Sequence, residues 1–412
     1  MKYKDLSESK KLLIEDAFEY LSDYSINLSE EIDDDDETLC VEFPDEMYSS
    51  EYTIEELLDY CADIKKLEKE SNSTVRSNSI IQITIDSTNS VSPIVTDILT
   101  HWQFQNEDVV ARVVEAPFLI GVQNCIDDNY WDKYGITPCH DYLALEIKYL
   151  KGKRGTKIEE KELVERILYH LTMKVGIAIF TSQFWNASQI YQESDEIDEY
   201  IVSEKDIETK TVGISSLTTF TPMMKLYRQA LETQDPEIRY LYFYKAIEFI
   251  SPIVAKRNVF QKINTHLDTY SAESRDYDYI NTLLNFASEY RENQKDENLA
   301  PEVIRACIDP LPLFEYIPSY LQKTIKHNLR LEPDADMEKI ELDANLQKSL
   351  RTQVANILYS TRNSIVHAKS NYEPKGNECK RDDLDTINHL MDSVVRQLIE
   401  WHSKLPREFQ IR

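Results

Sequence analysis

Arg362, Asn363 and His367 stand close together in the stretch Thr361-Arg362-Asn363-Ser364-Ile365-Val366-His367. On a helix, Asn363 and His367 are four residues apart and share a face. Arg362 lies ~140° round from His367, and its long side chain reaches the same rim. A guanidinium, an amide and an imidazole gathered there suit a phosphodiester. Arg grips phosphate oxygens bidentately and stabilises developing negative charge. His, with an ordinary pKa of ~6.5, takes a proton from a ribose 2′-hydroxyl. Asn holds the imidazole or the phosphate in register, and this chemistry asks for no metal and no other cofactor. Arg257-Asn258 has no His at that distance and serves as an internal contrast. The bland alternative is that Arg362 and His367 pair with carboxylates or carbonyls between packed helices.

Such a cluster needs rigid elements behind it, and residues 217–412 supply helices. A long helix is expected over 346–368. Another covers 384–401, with Ile387, Leu390, Met391, Val394, Val395 and Leu398 as its apolar stripe. Upstream, Thr221-Pro222 opens a helix to about residue 233. Asp235 as N-cap and Pro236 at the first helical position open the next. That helix places Tyr240, Phe243, Ile247 and Ile250 on one face and is expected to stop before Pro252. Residues 255–345 read as a less regular helical insertion, punctuated at Pro301, Pro310, Pro312 and Pro318.

With these helices in place, Arg362-Asn363-x-x-x-His367 resembles the Arg-x-(four to six)-His signature of the HEPN superfamily, in its Arg-Asn form. Leu226-Tyr227-Arg228-Gln229-Ala230-Leu231 and Asp235-Pro236-Glu237-Ile238-Arg239-Tyr240-Leu241 resemble the first two helices of the Apea-like HEPN branch. Ala246-Ile247-Glu248-Phe249 resembles the continuation of the second. The resemblance covers roughly residues 217–405 and none of the first 215. It implies an all-α bundle that dimerises to bring two motifs into one composite cleft. It further implies metal-independent endoribonuclease activity, of the kind used in antiphage or toxin-like effectors. Arg362 and His367 would then be the catalytic pair, Asn363 their orienting partner and Glu248 an acidic brace. The product would carry a 2′,3′-cyclic phosphate. The competing expectation is a non-catalytic bundle that dimerises and binds RNA, a nucleotide or a partner protein. Around the motif, Arg351 and Lys369 are candidate phosphate contacts. Tyr359 and Tyr372 are candidate platforms for base stacking. Ordinary ion pairing and packing are the plain alternatives for these four.

The first half of the chain is different in kind. Residues 1–216 carry 20 Lys and Arg against 45 Asp and Glu, a net charge of −25; residues 217–412 carry 26 against 29, a net of −3. Almost all the acidity therefore sits in the first half, and the second half is free to present a local basic face. Residues 1–75 read as an acidic helical segment, with Thr53 and Glu56 as a capping box and a solvated acidic run over 30–37. Residues 71–79, Ser-Asn-Ser-Thr-Val-Arg-Ser-Asn-Ser, read as a linker. Beyond them, β-rich runs over 80–86, 109–120 and 142–150 and a long helix over 159–180 describe an α/β sensor or regulatory domain, 76–215, with an antiparallel or mixed sheet.

The expected fold class is thus α+β: a mixed N-terminal region followed by an all-α domain, 216–412. Seven glycines form no complete phosphate-cradling loop, which argues against most nucleotide-dependent enzymes. The polar start of the chain is no secretory signal, and the longest charge-free run, 175–192, is interrupted by Gln183, Asn186 and Gln189. Six scattered cysteines fit reduced thiols. The expected protein is cytoplasmic and touches no membrane. Its expected partners are an RNA substrate (tRNA or mRNA), a second copy of itself, and a phage or host trigger sensed by the N-terminal region.

Overall fold

The computed structural model describes residues 2–29, 37–44, 46, 49–87, 93–128, 137–140, 142–151, 155–182, 210–269, 276–293, 296–337, 343–367 and 376–410. They form two compact units, Met1–Leu217 and Thr218–Arg412. The first mixes strands and helices, the second is helical, and the fold class is α+β. Among the described residues no helix is long and apolar enough to cross a membrane. The expected acidic run over 30–37 lies, except for Glu37, outside the described residues.

The first unit opens with α1 (Glu8–Ser22), β1 (Asn27–Leu28), β2 (Thr38–Glu42), β3 (Ser50–Thr53) and α2 (Ile54–Cys61). The capping box at Thr53 and Glu56 is formed, each closing on the other's backbone N–H. There follow β4 (Glu68–Ser71), β5 (Thr74–Arg76), β6 (Ile80–Ser87), α3 (Pro93–Thr100), β7 (Trp102–Gln105), β8 (Val109–Glu115), α4 (Phe118–Ile126), β9 (Leu143–Tyr149), α5 (Lys157–Val175), β10 (Ile179–Thr181) and β11 (Lys210–Gly213). Strands β1–β2–β3 make a small antiparallel sheet. The larger sheet runs β11-β7-β8-β9-β6-β5-β4, with β10 beside β6; β11 and β7 are parallel and the other pairs antiparallel.

Three expectations are corrected here. Residues 71–79 are no linker: Glu68–Ser71 and Thr74–Arg76 form a hairpin, with the serine- and asparagine-rich residues at its turn. Val75 is fully buried there, and the Arg76 guanidinium bonds both Glu70 and Glu160. A division at residue 75 would cut strand β5, and Ile14, Leu21, Leu57 and Tyr60 share one core with the sheet. Second, the apolar run 109–120 is not one strand. Ala116 turns with φ +43°, and Pro117 caps α4. The first amides of α4, from Leu119 and Ile120, donate to Gln82 Oε1 at 2.9 and 3.2 Å. Third, the long helix ends at Val175, because Gly176 adopts the left-handed conformation (φ +77°) that closes a helix. The chain after it becomes β10.

The second unit contains α6 (Pro222–Glu232), α7 (Pro236–Thr269), α8 (Tyr277–Asn293), α9 (Asp296–Cys307), α10 (Ser319–Asn328), α11 (Ala344–Val366) and α12 (Leu384–Ser403). Its core is aliphatic and aromatic: Tyr227, Tyr240, Phe243, Ile247 and Ile250, Leu350, Val354 and Leu358, and Ile387, Met391 and Val394 are all buried. The helix expected to stop before Pro252 instead runs through it to Thr269. Proline has no N–H for the carbonyl four residues back, that of Glu248. Ser251 Oγ donates to that carbonyl at 2.9 Å, so the orphaned acceptor is satisfied. Among the described residues, 255–345 accordingly comprise the second half of α7, then α8, α9 and α10, and the start of α11.

Candidate active site

One tether fixes α11 against α7, and a second fixes α11 to the chain that leads into α12. The Tyr240 hydroxyl donates to the Leu358 carbonyl at 2.7 Å, buried in the unit's core. One turn on, Thr361 Oγ1 accepts the Cys379 backbone N–H at 2.9 Å. Arg362, the next residue, is therefore delivered to the α7 side of the bundle by a rigid turn. Asp235 Oδ1 caps the start of α7 by accepting the N–H groups of Glu237 and Ile238 at 2.8 and 3.1 Å.

The Arg362 guanidinium meets three groups. Nη1 donates to Asn363 Oδ1 at 3.1 Å, and Nη2 stands 3.4 Å from Glu248 Oε1. Its carbon lies 5.9 Å from the Tyr244 ring centroid, within cation–π range. The Arg362 side chain is 26% exposed and Glu248 40%, so the pair faces water and its charge is open to a solute. Beside it is a cleft of about 250 Å³, lined by Ile238, Leu241, Tyr242, Tyr244, Lys245, Glu248, Arg362 and Val366.

His367 sits one residue past α11 as its C-cap, with φ −101° and ψ 13°, and is exposed. Its backbone N–H donates to the Asn363 carbonyl at 2.9 Å. The helix expected over 346–368 thus ends at Val366, and His367 caps it without lining the cleft. The Asn363 side-chain oxygen accepts from Arg362 and so orients the guanidinium. The cleft is lined by the Arg362 guanidinium, and His367 lies at the end of the same helix.

Of the flanking candidates, the two that are described, Arg351 and Tyr359, do not line this cleft. Arg351 lies eleven residues before Arg362, ~16 Å along the axis, and its Nη1 contacts the Arg305 carbonyl at 3.5 Å. Tyr359 is half-buried and does not line the cleft. Lys369 and Tyr372 lie outside the described residues. In their place the cleft presents Ile238, Tyr242, Tyr244 and Lys245. These were legible in principle, since Leu241, Tyr244, Lys245 and Glu248 recur at helical spacing on one face of α7.

Among the described residues no three His, Cys, Asp or Glu side chains gather in a way that would hold a metal ion. The six cysteines are thiols, with no disulfide between any two of them. Cys139 is buried with its sulfur 3.2 Å from the Tyr52 hydroxyl.

Residues 223–400 match the profile of a family described as methylamine utilization protein MauJ. The match spans α6 to most of α12 and contains Glu248, Arg362, Asn363 and His367. It leaves the first unit uncovered. Comparison with curated proteins and with solved structures returned no match.

Proposed function

We propose that the second unit is a HEPN-type domain and that the protein is a metal-independent endoribonuclease. The observation that supports this best is the Arg362 guanidinium, fixed by Glu248 and Asn363 yet open to a cleft, with His367 exposed at the end of the same helix. Arg362 holds the non-bridging oxygens of the scissile phosphate and takes up the charge that develops on them. His367 removes the proton of the adjacent 2′-hydroxyl. The 2′-oxygen bonds to phosphorus, the bond to the 5′-oxygen breaks, and the fragments carry a 2′,3′-cyclic phosphate and a 5′-hydroxyl. With one such histidine per chain, the leaving 5′-oxygen takes its proton from His367 of the partner subunit in a homodimer. The first unit serves as the sensor for a phage or host trigger, and the cell compartment is the cytoplasm. The matched family's description, methylamine utilization, names a process and not a reaction, so it assigns no chemistry to this cleft.

The test is purified protein on mixed tRNA and messenger RNA with excess EDTA, wild type beside His367→Ala. Cyclic-phosphate ends made by the wild type alone are the expected result. Binding of RNA without such ends, unaltered by His367→Ala, selects the non-catalytic binding module instead. Growth on overexpression gives a cellular counterpart: an effector is toxic, and Arg362→Ala abolishes the toxicity.

A further inference from the structure

The groove beside Arg362 holds more than a phosphate needs. Ile238 is 46% exposed and Val366 47%, so two aliphatic side chains stay in water within the groove that carries the guanidinium. Lys245, one turn along α7 from Leu241, holds its ammonium 4.7 Å from the Tyr242 ring centroid, which keeps a second cation at the rim. Two cations and an apolar wall in one cleft suit a ligand with an anionic end and a flat, weakly polar end. The cleft's 250 Å³ is below the ~300–1,000 Å³ of pockets for drug-sized ligands, a size that suits one small unit of a longer ligand.

We infer that this groove seats a single nucleotide of the RNA, with its phosphate between Arg362 and Lys245 and its base against Ile238, Leu241 and Val366. Lys245 is then a phosphate-binding residue, and Ile238 and Val366 set base preference. The identity of the ligand rests on the ribonuclease reading, but its binding is measurable without cleavage.

The experiment uses the full-length chain carrying His367→Ala, titrated calorimetrically with each ribonucleoside 3′-monophosphate, with inorganic phosphate and with uncharged nucleosides. The best nucleotide is expected to bind at least about tenfold more tightly than phosphate. Ile238→Ser, at an exposed position, is expected to remove that advantage and leave phosphate affinity unchanged. Lys245→Gln is expected to weaken both, by roughly three- to tenfold. Equal affinity for nucleotide and phosphate, no measurable binding of either, or indifference to Ile238→Ser overturns the inference. So does a shift in monomer–dimer equilibrium on Ile238→Ser with nucleotide affinity intact, which would make the wall a subunit contact. Nucleotide-selective binding in a protein that shows no His367-dependent cleavage keeps the groove and removes the nuclease; cleavage without that selectivity does the reverse.

Discussion

The contact between Arg362 and Glu248 is single, 3.4 Å long and partly in water, a geometry that contributes under ~1 kcal/mol to stability. Its consequence is orientation, since it aims a guanidinium that Asn363 holds from the other side. Glu248→Gln keeps an acceptor at that position and Glu248→Ala does not. Both are expected to leave Tm within about 3 °C of wild type. Cleavage should fall by about tenfold or more in the alanine variant only, since small misplacements are costly. Equal loss in both variants would show that charge, not aim, is what Glu248 supplies. Arg362, Asn363 and His367 were legible in the sequence because one helix end carries all three. Glu248 is 114 residues away and could be placed only through family resemblance; Tyr244 and Lys245 were missed because they read as ordinary α7 residues. Histidine also supplies a pH dependence apart from the site. His170 packs edge-on against Trp102 and Phe104 with its Nε2 unpartnered among the described residues. Burial, assisted by Lys174, lowers its pKa to about 4. His402 is fully buried with neither ring nitrogen partnered there, and burial lowers its pKa as well. Both take a proton less readily when folded than in the unfolded chain, where they do so below ~6.5. Their contribution to stability is therefore present above pH ~6.5 and lost as pH falls below it, for His170 down to about 4. Tm should drop across that window, and His402→Leu should flatten the drop; an unchanged slope would contradict this.

At the scale of elements, legibility followed periodicity and failed at punctuation. Strands β6 and β9 and helices α6, α11 and α12 stand where their apolar spacing puts them, to within a few residues. The run over 109–120 misled because a helix buried on all sides, such as Phe118–Ile126, shows no alternation to separate it from a strand. Pro252 misled in the other direction: a proline inside a helical pattern reads as a stop, and only the structure shows Ser251 supplying the missing donor. Gly176 is a quieter punctuation mark, one glycine inside a long apolar run. Its φ of +77° costs an L-residue ~1–2 kcal/mol, although a methyl group at that position would meet no atom within 4 Å. Gly176→Ala is thus expected to destabilise by about 1 kcal/mol through backbone strain alone, read from denaturant melting. Gly213→Ala is the matched control, since Gly213 has φ −66° and its nearest neighbour is an ordinary 3.7 Å away. A comparable loss at both positions would mean that φ is not the cause.

Across the whole molecule the charge division is the property with the longest reach: −25 in residues 1–216 against −3 in residues 217–412. A phosphate backbone approaching Arg362 is attracted locally and repelled by the chain as a whole. The two effects respond differently to salt. Contacts between cations and phosphates weaken steadily as salt rises, because counterions must be released again. Long-range repulsion from the acidic unit is screened as the Debye length falls from ~30 Å at 0.01 M to ~8 Å at 0.15 M. A fragment of residues 218–412 retains its own apolar core of α6, α7, α9, α11 and α12 and can be compared with the full chain directly. Fluorescence anisotropy with a short 2′-O-methyl RNA, which cannot be cleaved, separates the terms. At 0.01 M salt the full chain is expected to bind several-fold more weakly than the fragment, and the gap should close by 0.15 M. In the fragment, affinity should only fall with salt; in the full chain it should stay flat or rise first. A gap that persists at 0.15 M would point to a contact that covers the cleft, and a full chain that binds more tightly would assign RNA contacts to the first unit in spite of its charge.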